Sequence, residues 1–147
     1  MKKSILYSLF KIGSIPEHVL VSLNEEGIVL SDEGVSGWFI AKNVKGPGKR
    51  FLHRSEYFSG WLAITNKRVA CYSFRKPQVN ILVDDPGVAS LQIGNPTKDI
   101  LTISFESSNF RDEWKGIIEL KYKTEKAHSF SRLLSDICAQ QVVGRDR

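Results

Sequence analysis

The side chains best suited to chemistry in this sequence are the Lys and Arg residues between positions 42 and 76. This segment contains nine basic residues and one acid, Glu56, so its formal charge is +8. The remaining residues include twelve basic and fifteen acidic side chains, a formal charge of −3, so the net charge of +5 is unevenly placed. Such a basic segment favours phosphate-bearing partners where its side chains meet on one surface. A solvated surface with uneven charge is the alternative interpretation.

The densest part of this segment is Lys45-Gly46-Pro47-Gly48-Lys49-Arg50. Its proline and two glycines predict a loop, because proline lacks a backbone donor and glycine weakens a strand. We therefore predict that an anion or a partner binds at this basic loop. The complete set of candidate binding residues is Lys42, Lys45, Lys49, Arg50, Lys67, Arg68, Arg75 and Lys76.

Residues with catalytic potential are present, but their spacing matches no catalytic motif. The three His residues have no partner at a motif spacing, and no phosphate-binding glycine loop, zinc-protease motif or nucleophile elbow occurs. The acidic pairs at 84–85 and 112–113 lie beside turn residues, where Asp is favoured for its turn geometry. We expect a protein that is not an enzyme and that uses no cofactor, metal or small-molecule substrate. Cys71 and Cys138 are expected to be free, buried thiols in a reducing compartment.

The N-terminus has apolar residues at helical spacing, and Lys2, Lys3 and Lys11 flank them. The spacing predicts a short amphipathic helix over residues 4–12. Its apolar face either packs on the domain or on a second copy, or inserts at a membrane interface. The residues of this candidate interface are Ile5, Leu6, Leu9 and Phe10.

No apolar run approaches the ~20 residues that a membrane-spanning helix needs, and no signal-peptide cleavage site follows the N-terminal helix. We therefore expect a cytoplasmic protein, either free or peripheral at the membrane. Anionic lipid surfaces and proteins are the expected partners, with a homo-oligomer as a further option. Nucleic acid is disfavoured, because the aromatic residues near the basic segment also suit packing in a sheet.

The rest of the chain predicts a mainly β domain that ends in a helix. A second short helix is expected between Pro16 and Gly27, and a last amphipathic helix is expected to follow the cap Thr124. Between them, short β-type runs separated by turns predict an antiparallel meander, with its first hairpin at 32–34. The three Trp residues are expected in its core. The predicted strands are 28–30, 35–44, 58–65, 68–74, 78–83, 88–93, 100–106 and 114–122.

One hairpin carries a family signature. The run from Gly60 to Tyr72, with Thr65-Asn66-Lys67-Arg68 at its centre, resembles the hairpin of GRAM domains and of bacterial pleckstrin-homology (PH) domains. The resemblance covers residues 16–141, so residues 1–15 are expected to be an N-terminal amphipathic segment and residues 142–147 a flexible tail. It implies a mainly β (α+β) fold: a PH-like barrel of about seven antiparallel strands in two sheets, with a C-terminal capping helix.

The resemblance also implies a binding function, with one departure from the family pattern. Phosphoinositide-binding PH domains place their basic cluster on the first hairpin, whereas the first predicted hairpin here is acidic, with Asp32 and Glu33. Lys67 and Arg68 are expected at the same end, paired with these acids, and the basic loop at the opposite end. We therefore predict a non-catalytic module that docks an anionic membrane surface or a protein partner through the basic loop. The alternative is a protein that self-associates through its N-terminal helix or a sheet edge.

Overall fold

A computed structural model describes residues 3–145, apart from the side chains of Phe51 and of residues 142–145. Seven antiparallel strands form one hydrogen-bonded sheet in the order β4-β3-β2-β1-β7-β6-β5, which confirms the predicted mainly β class with helices at both ends. The elements are α1 (Ile5–Phe10), α2 (Glu17–Glu26), β1 (Ile28–Gly46), β2 (Lys49–Thr65), β3 (Arg68–Ser73), β4 (Lys76–Leu82), β5 (Gln92–Thr97), β6 (Ile100–Glu106), β7 (Lys115–Lys123) and α3 (Ala127–Arg145).

The longest feature of the sheet is the hairpin of β1 and β2, which have 19 and 17 residues. Gly46 lies opposite Lys49, so the hairpin turns at Pro47-Gly48. The hairpin predicted at 32–34 is wrong, because this segment continues β1 through a bulge at Gly34, where φ is +66°. A glycine with positive φ serves a bulge as well as a turn, and the sequence alone does not distinguish the two.

The two halves of this hairpin have different neighbours. Near the turn, β1 pairs with β2 on one side and with β7 on the other, from Ser36 to Lys45. Beyond the bulge, β2 pairs with β3 from Gly60 to Ile64. The long hairpin therefore joins two hydrogen-bonded blocks, β2-β3-β4 and β1-β7-β6-β5.

The main core lies on the face of the sheet against which α3 packs. In strand β6 the alternating residues Leu101, Ile103 and Phe105 are buried in this core, and the residues between them are half-buried. Phe130 and Leu134 of α3 join this core. On the other face, α2 buries Leu23 against Trp61 in a second, smaller cluster. The block of β2 and β3 is thus covered on both faces.

The C-terminal helix begins where the sequence predicts. The Thr124 hydroxyl accepts a hydrogen bond from the N–H of Lys126 at 3.1 Å, as an N-cap does. The helix continues to Arg145, so the segment predicted as a tail from 142 is helical as far as the structure describes it. A single Gly144 does not end the helix, since glycine costs a helix interior only ~1 kcal/mol. Asp146 and Arg147 lie outside the described residues.

Two predictions between β4 and β6 are wrong. The strand expected at 88–93 begins only at Gln92, because Pro86–Ser90 forms a 3₁₀ turn. The Asp85 carboxylate caps this turn by accepting from the N–H of Gly87 at 2.7 Å. Residues 94–97, which lie between two predicted strands, belong to β5, and the chain reverses at 98–99, between β5 and β6.

In the part of the chain from 3 to 145, no helix is both long enough and apolar enough to cross a membrane.

Candidate functional site

The basic loop of the sequence is the end of the long β1–β2 hairpin. Lys45 lies opposite Arg50 of β2 and, on its other side, opposite Lys115 of β7. Lys49 follows the turn directly, and all four side chains are exposed. We call Lys45, Lys49, Arg50 and Lys115 the hairpin tip.

Like charges placed directly opposite each other in a sheet are unfavourable. Within the described residues, no carboxylate forms an ion pair with any member of the hairpin tip. Farther from the turn, Lys42 has Glu119 at 3.9 Å, and Arg54 pairs with Glu56. The hairpin tip is therefore an uncompensated cationic site, and Lys42 stands at its partly neutralised edge.

The base of the hairpin tip is fixed by packing. A Cβ at Gly46 would lie 2.5 Å from ring atoms of Trp114, so the indole packs directly on this backbone. Next to it, the Glu106 carboxylate accepts from the N–H of Gly116 at 2.7 Å. These contacts hold the start of β7, and with it Lys115, beside the end of β1.

Sequence reasoning missed Lys115. It follows Trp114 at the start of a predicted strand, 65 positions after Arg50. Only the pairing of the first strand with the last brings the two segments together, and that pairing is a property of the topology.

Arg75 and Lys76 form a separate basic site at the β3–β4 turn. Ser73 lies opposite both Lys76 and Gly60, so this turn is level with Gly60 of β2. The eleven steps of β2 between Lys49 and Gly60 span about 36 Å of extended strand. The structure therefore does not bring this pair together with the hairpin tip.

Lys67 and Arg68 lie at the β2–β3 turn, at the end of β2 away from the hairpin tip. The Arg68 guanidinium pairs with Glu26 of α2 through Nε at 3.2 Å, and its Nη1 donates to Asn80 at 2.8 Å. The expectation that Arg68 meets Asp32 and Glu33 is therefore wrong.

The Thr-Asn-Lys-Arg run has a structural use at this turn. The Thr65 hydroxyl accepts from the N–H groups of Lys67 and Arg68, at 3.1 and 2.9 Å, and donates to Glu26 at 3.1 Å. These bonds fasten the turn to α2. Arg68 is therefore engaged within the fold, while the exposed Lys67 stands away from the other candidates.

The acids at the β1 bulge bind the N-terminal segment and the start of α3. Asp32 accepts from the Lys3 ammonium at 2.5 Å and from the Thr124 hydroxyl at 2.6 Å. Glu33 accepts from the Tyr7 hydroxyl at 3.2 Å and from the N–H of Ile15 at 2.8 Å. Burial, and then the charge of Glu33, raises the pKa of Tyr7. These acids are thus occupied with the N-terminal segment and the cap of α3.

The N-terminal helix is anchored, yet its apolar residues face outward. Ser4 caps the N-terminus of α1, and its N–H donates to the Gly34 carbonyl at 2.8 Å. Ile5, Leu9 and Phe10 are 73, 68 and 68% exposed, and Leu6 is half-buried. The candidate interface is therefore presented on the surface of the protein.

The tryptophans differ in burial. Trp61 is fully buried and stacks on Tyr72 with ring centroids 4.2 Å apart, and Trp114 is half-buried against the main core. Trp38 is 37% exposed and contacts Tyr57 edge-on at 5.7 Å. The expectation of a core position is wrong for Trp38, because β1 directs it to the uncovered face of the sheet.

Cysteine thiols and clusters of His, Cys, Asp or Glu side chains are groups that could act as nucleophiles or hold a metal ion. Both cysteines are free, Cys71 buried as expected and Cys138 only half-buried. Burial raises the pKa of Cys71 to about 12, so its thiol stays protonated near neutrality. Among residues 3–145, no three His, Cys, Asp or Glu side chains are grouped to hold a metal ion.

Comparison of the chain with models of known protein families and with curated proteins gave no match.

Proposed function

We propose that this chain is a non-catalytic binding module of the PH-like kind, similar to GRAM and bacterial PH domains. It docks to an anionic membrane surface through the hairpin tip. The proposal includes the two-sheet barrel, with the long β1–β2 hairpin shared by both sheets. It also includes a cytoplasmic location at the membrane periphery.

The fold part of the proposal is supported by the order of the elements. Seven antiparallel strands are followed by one C-terminal helix, the order that the resemblance implies. The change of partners along β1 and β2 at the Gly34 bulge is what a strand shared by two sheets requires. The basic loop is also the first hairpin of the meander, so the apparent departure from the family pattern disappears.

The observation that carries the membrane function is the charge of the hairpin tip. Lys45 faces Arg50 on one side and Lys115 on the other, and the described residues place no paired carboxylate beside them. Their mutual repulsion is relieved when an anionic surface lies against the tip. Each Lys or Arg near such a surface contributes ~1 kcal/mol, so four give moderate affinity without stereospecificity.

Vesicle sedimentation tests this function. The variant Lys45→Glu/Lys49→Glu/Arg50→Glu reverses three charges of the hairpin tip, and we expect it to lose binding to vesicles of phosphatidylcholine with phosphatidylserine. The parent chain should bind these vesicles at low salt, and most of it should be released at about 0.5 M salt, where charges are screened within a few ångströms.

The matched control is Lys67→Glu/Lys98→Glu/Lys123→Glu. It changes the net charge by the same amount at exposed positions away from the hairpin tip, so its binding should be close to that of the parent chain. Equal loss in both variants would show that net charge alone is responsible, and no loss in the first would contradict the proposal. If the parent chain binds no anionic vesicle, a protein partner becomes the better hypothesis.

Self-association is a second candidate, favoured by the free edge of β2. From Lys49 to Tyr57 this strand pairs with β1 alone among the described residues. An open strand edge is able to pair with another chain, although charged residues such as Arg54 and Glu56 usually oppose this. Light scattering after size exclusion tests the candidate, and a monomer at all concentrations would exclude it.

A further inference from the structure

An apolar surface lies where α1 approaches the β3–β4 turn, away from the hairpin tip. A groove of about 810 Å³ runs between them, and its walls include Phe10 and Ile12 on one side and Phe74 on the other. Phe10 is 68% and Phe74 is 40% exposed. We call Phe10, Ile12 and Phe74, which line this groove, together with Leu9, the exposed neighbour of Phe10 on α1, the apolar rim.

Phe74 is held in an unfavourable conformation. Its φ is +55° at the β3–β4 turn, in the left-handed region that glycine and asparagine adopt far more readily than a bulky residue. The N–H of Phe74 donates to the Ser59 carbonyl at 3.1 Å, so this conformation is fixed by the sheet. A large aromatic side chain, 40% exposed and packed edge-on against Phe58, thus occupies a turn whose backbone conformation favours glycine, and such strain is typical of a functional position.

The surroundings of the apolar rim are cationic. Residues 4–16 and residues 68–82 contain no Asp or Glu, and the acids close by are already engaged. Glu33 accepts from Tyr7 and Ile15, and Glu56, which shares a cleft with Phe74 and Lys76, pairs with Arg54. Lys11 and Arg75 line the same groove, and Lys76 follows directly. The Lys11 ammonium lies 4.7 Å from the centroid of the Tyr7 ring, which keeps it beside α1.

Resting on the proposed function, we propose that this region is a second membrane contact, at which the apolar rim enters the interface of an anionic bilayer. Phe10 and Phe74 contact the acyl boundary, and Lys11 and Arg75 bind the lipid phosphates. This combination of exposed apolar residues with flanking cations suits an interfacial element. The hairpin tip then supplies long-range attraction, and the apolar rim supplies contact that survives salt.

Charge complementarity favours a bilayer over a second copy of this chain. A two-fold symmetric dimer places the same patch of both subunits face to face. Lys11 and Arg75 of each subunit would then meet the same cations of the other, with no acid in either segment to neutralise them. An anionic lipid surface supplies the negative charge that neutralises these cations.

Phe74→Gly separates the membrane contact from folding. Glycine relieves the positive φ but loses the edge-on contact of Phe74 with Phe58, so the two effects oppose each other and cooperative unfolding in urea should show that the variant remains folded. Binding to vesicles containing phosphatidylserine should nevertheless weaken, by roughly tenfold for the loss of one buried aromatic side chain. Equal or stronger binding by this variant would contradict the inference.

A second variant, Leu9→Ser/Phe10→Ser, removes the apolar rim on the α1 side. Its matched control is Val21→Ser/Leu82→Ser, at two exposed apolar residues that do not line the groove. We expect the first to lose binding roughly tenfold and to lose the fraction that remains bound at about 0.5 M salt, and the second to bind like the parent chain.

The outcomes separate this inference from the proposed function. If charge reversal at the hairpin tip abolishes binding while both apolar-rim variants bind like the parent chain, the second contact is wrong and the function stands. If the parent chain itself does not bind anionic vesicles, the inference and the proposed function are both wrong. If the apolar-rim variants instead convert an oligomer to a monomer, measured by light scattering, a second copy is the occupant and the inference is wrong.

Discussion

The ring of Tyr7 occupies the space beside Gly34 in which a side chain would otherwise stand. A Cβ on Gly34 would lie 2.3 Å from Cγ of Tyr7, far closer than atoms in contact allow. The Gly34 carbonyl also accepts from the N–H of Ser4. α1 therefore packs against the bulge in β1, and the position of the apolar rim depends on this contact.

Gly34→Ala should destabilise the protein by about 2–4 kcal/mol, because it adds a clash with Tyr7 to the strain of positive φ. Gly48→Ala is the matched control, since its φ of +68° is similar but nothing lies within 4 Å of its Cβ position. The control should cost only about 1–2 kcal/mol. Urea unfolding measures both, and equal losses would show that the contact with Tyr7 is not tight.

Asp32→Ala should cost about 2–3 kcal/mol, because hydrogen bonds to a charged group with little exposure are among the stronger ones. The change removes the acceptor of both Lys3 and Thr124, and so releases the N-terminal segment and the cap of α3 together. Glu56→Ala breaks an exposed pair with Arg54 and should change stability by less than about 1 kcal/mol. A loss for Asp32→Ala no larger than for Glu56→Ala would contradict this role.

The stability of the protein should fall in alkaline solution, partly through Cys71. Burial raises the pKa of this thiol from 9.0 to about 12, so the folded state keeps a proton that the unfolded state releases. The contribution is complete below pH 9.0 and is lost as the pH rises toward about 12. Its slope is at most about 1.4 kcal/mol per pH unit.

The variant Cys71→Ala should be less stable near neutrality and should show a shallower alkaline decline. Tyr122 is also buried with a raised pKa, so part of the decline should remain. Unfolding free energies measured across this range give both curves. Parallel curves for the two proteins would show that the thiol does not titrate as expected.

Lys115→Gln should weaken binding to anionic vesicles about fivefold, since one cation near such a surface contributes ~1 kcal/mol. Lys98→Gln is the control, an exposed lysine at the β5–β6 turn, away from the hairpin tip. Vesicle sedimentation at low salt compares them. Equal affinities of the two variants would remove Lys115 from the site.

Much of the fold could be predicted from local patterns, because these patterns report burial. The alternation in β6 and the cap at Thr124 are examples, and both occur where they are expected. Turns and bulges are harder to distinguish by local patterns. Gly34 carries the same signal in a bulge as in a turn, and the prediction of a turn there divided one long strand into two.

The candidate site was only partly predictable, for a different reason. Charge and loop composition select Lys45, Lys49 and Arg50 from the sequence, because these residues are adjacent. The addition of Lys115 and the engagement of Arg68 by Glu26 depend on contacts between distant segments. Local patterns carry no information about such contacts.

The pairing of strand β1 with both β2 and β7 has a consequence for how the protein folds. Its pairing with β2 closes a local hairpin, whereas its pairing with β7 joins residues that are seventy or more positions apart. Closing so long a loop costs chain entropy before its contacts can compensate, so this step should come late and limit the folding rate. Because the β1–β2 hairpin joins the two blocks of the sheet and one main core includes residues of both, neither block can come apart without exposing the core of the other, and unfolding should be a single cooperative event.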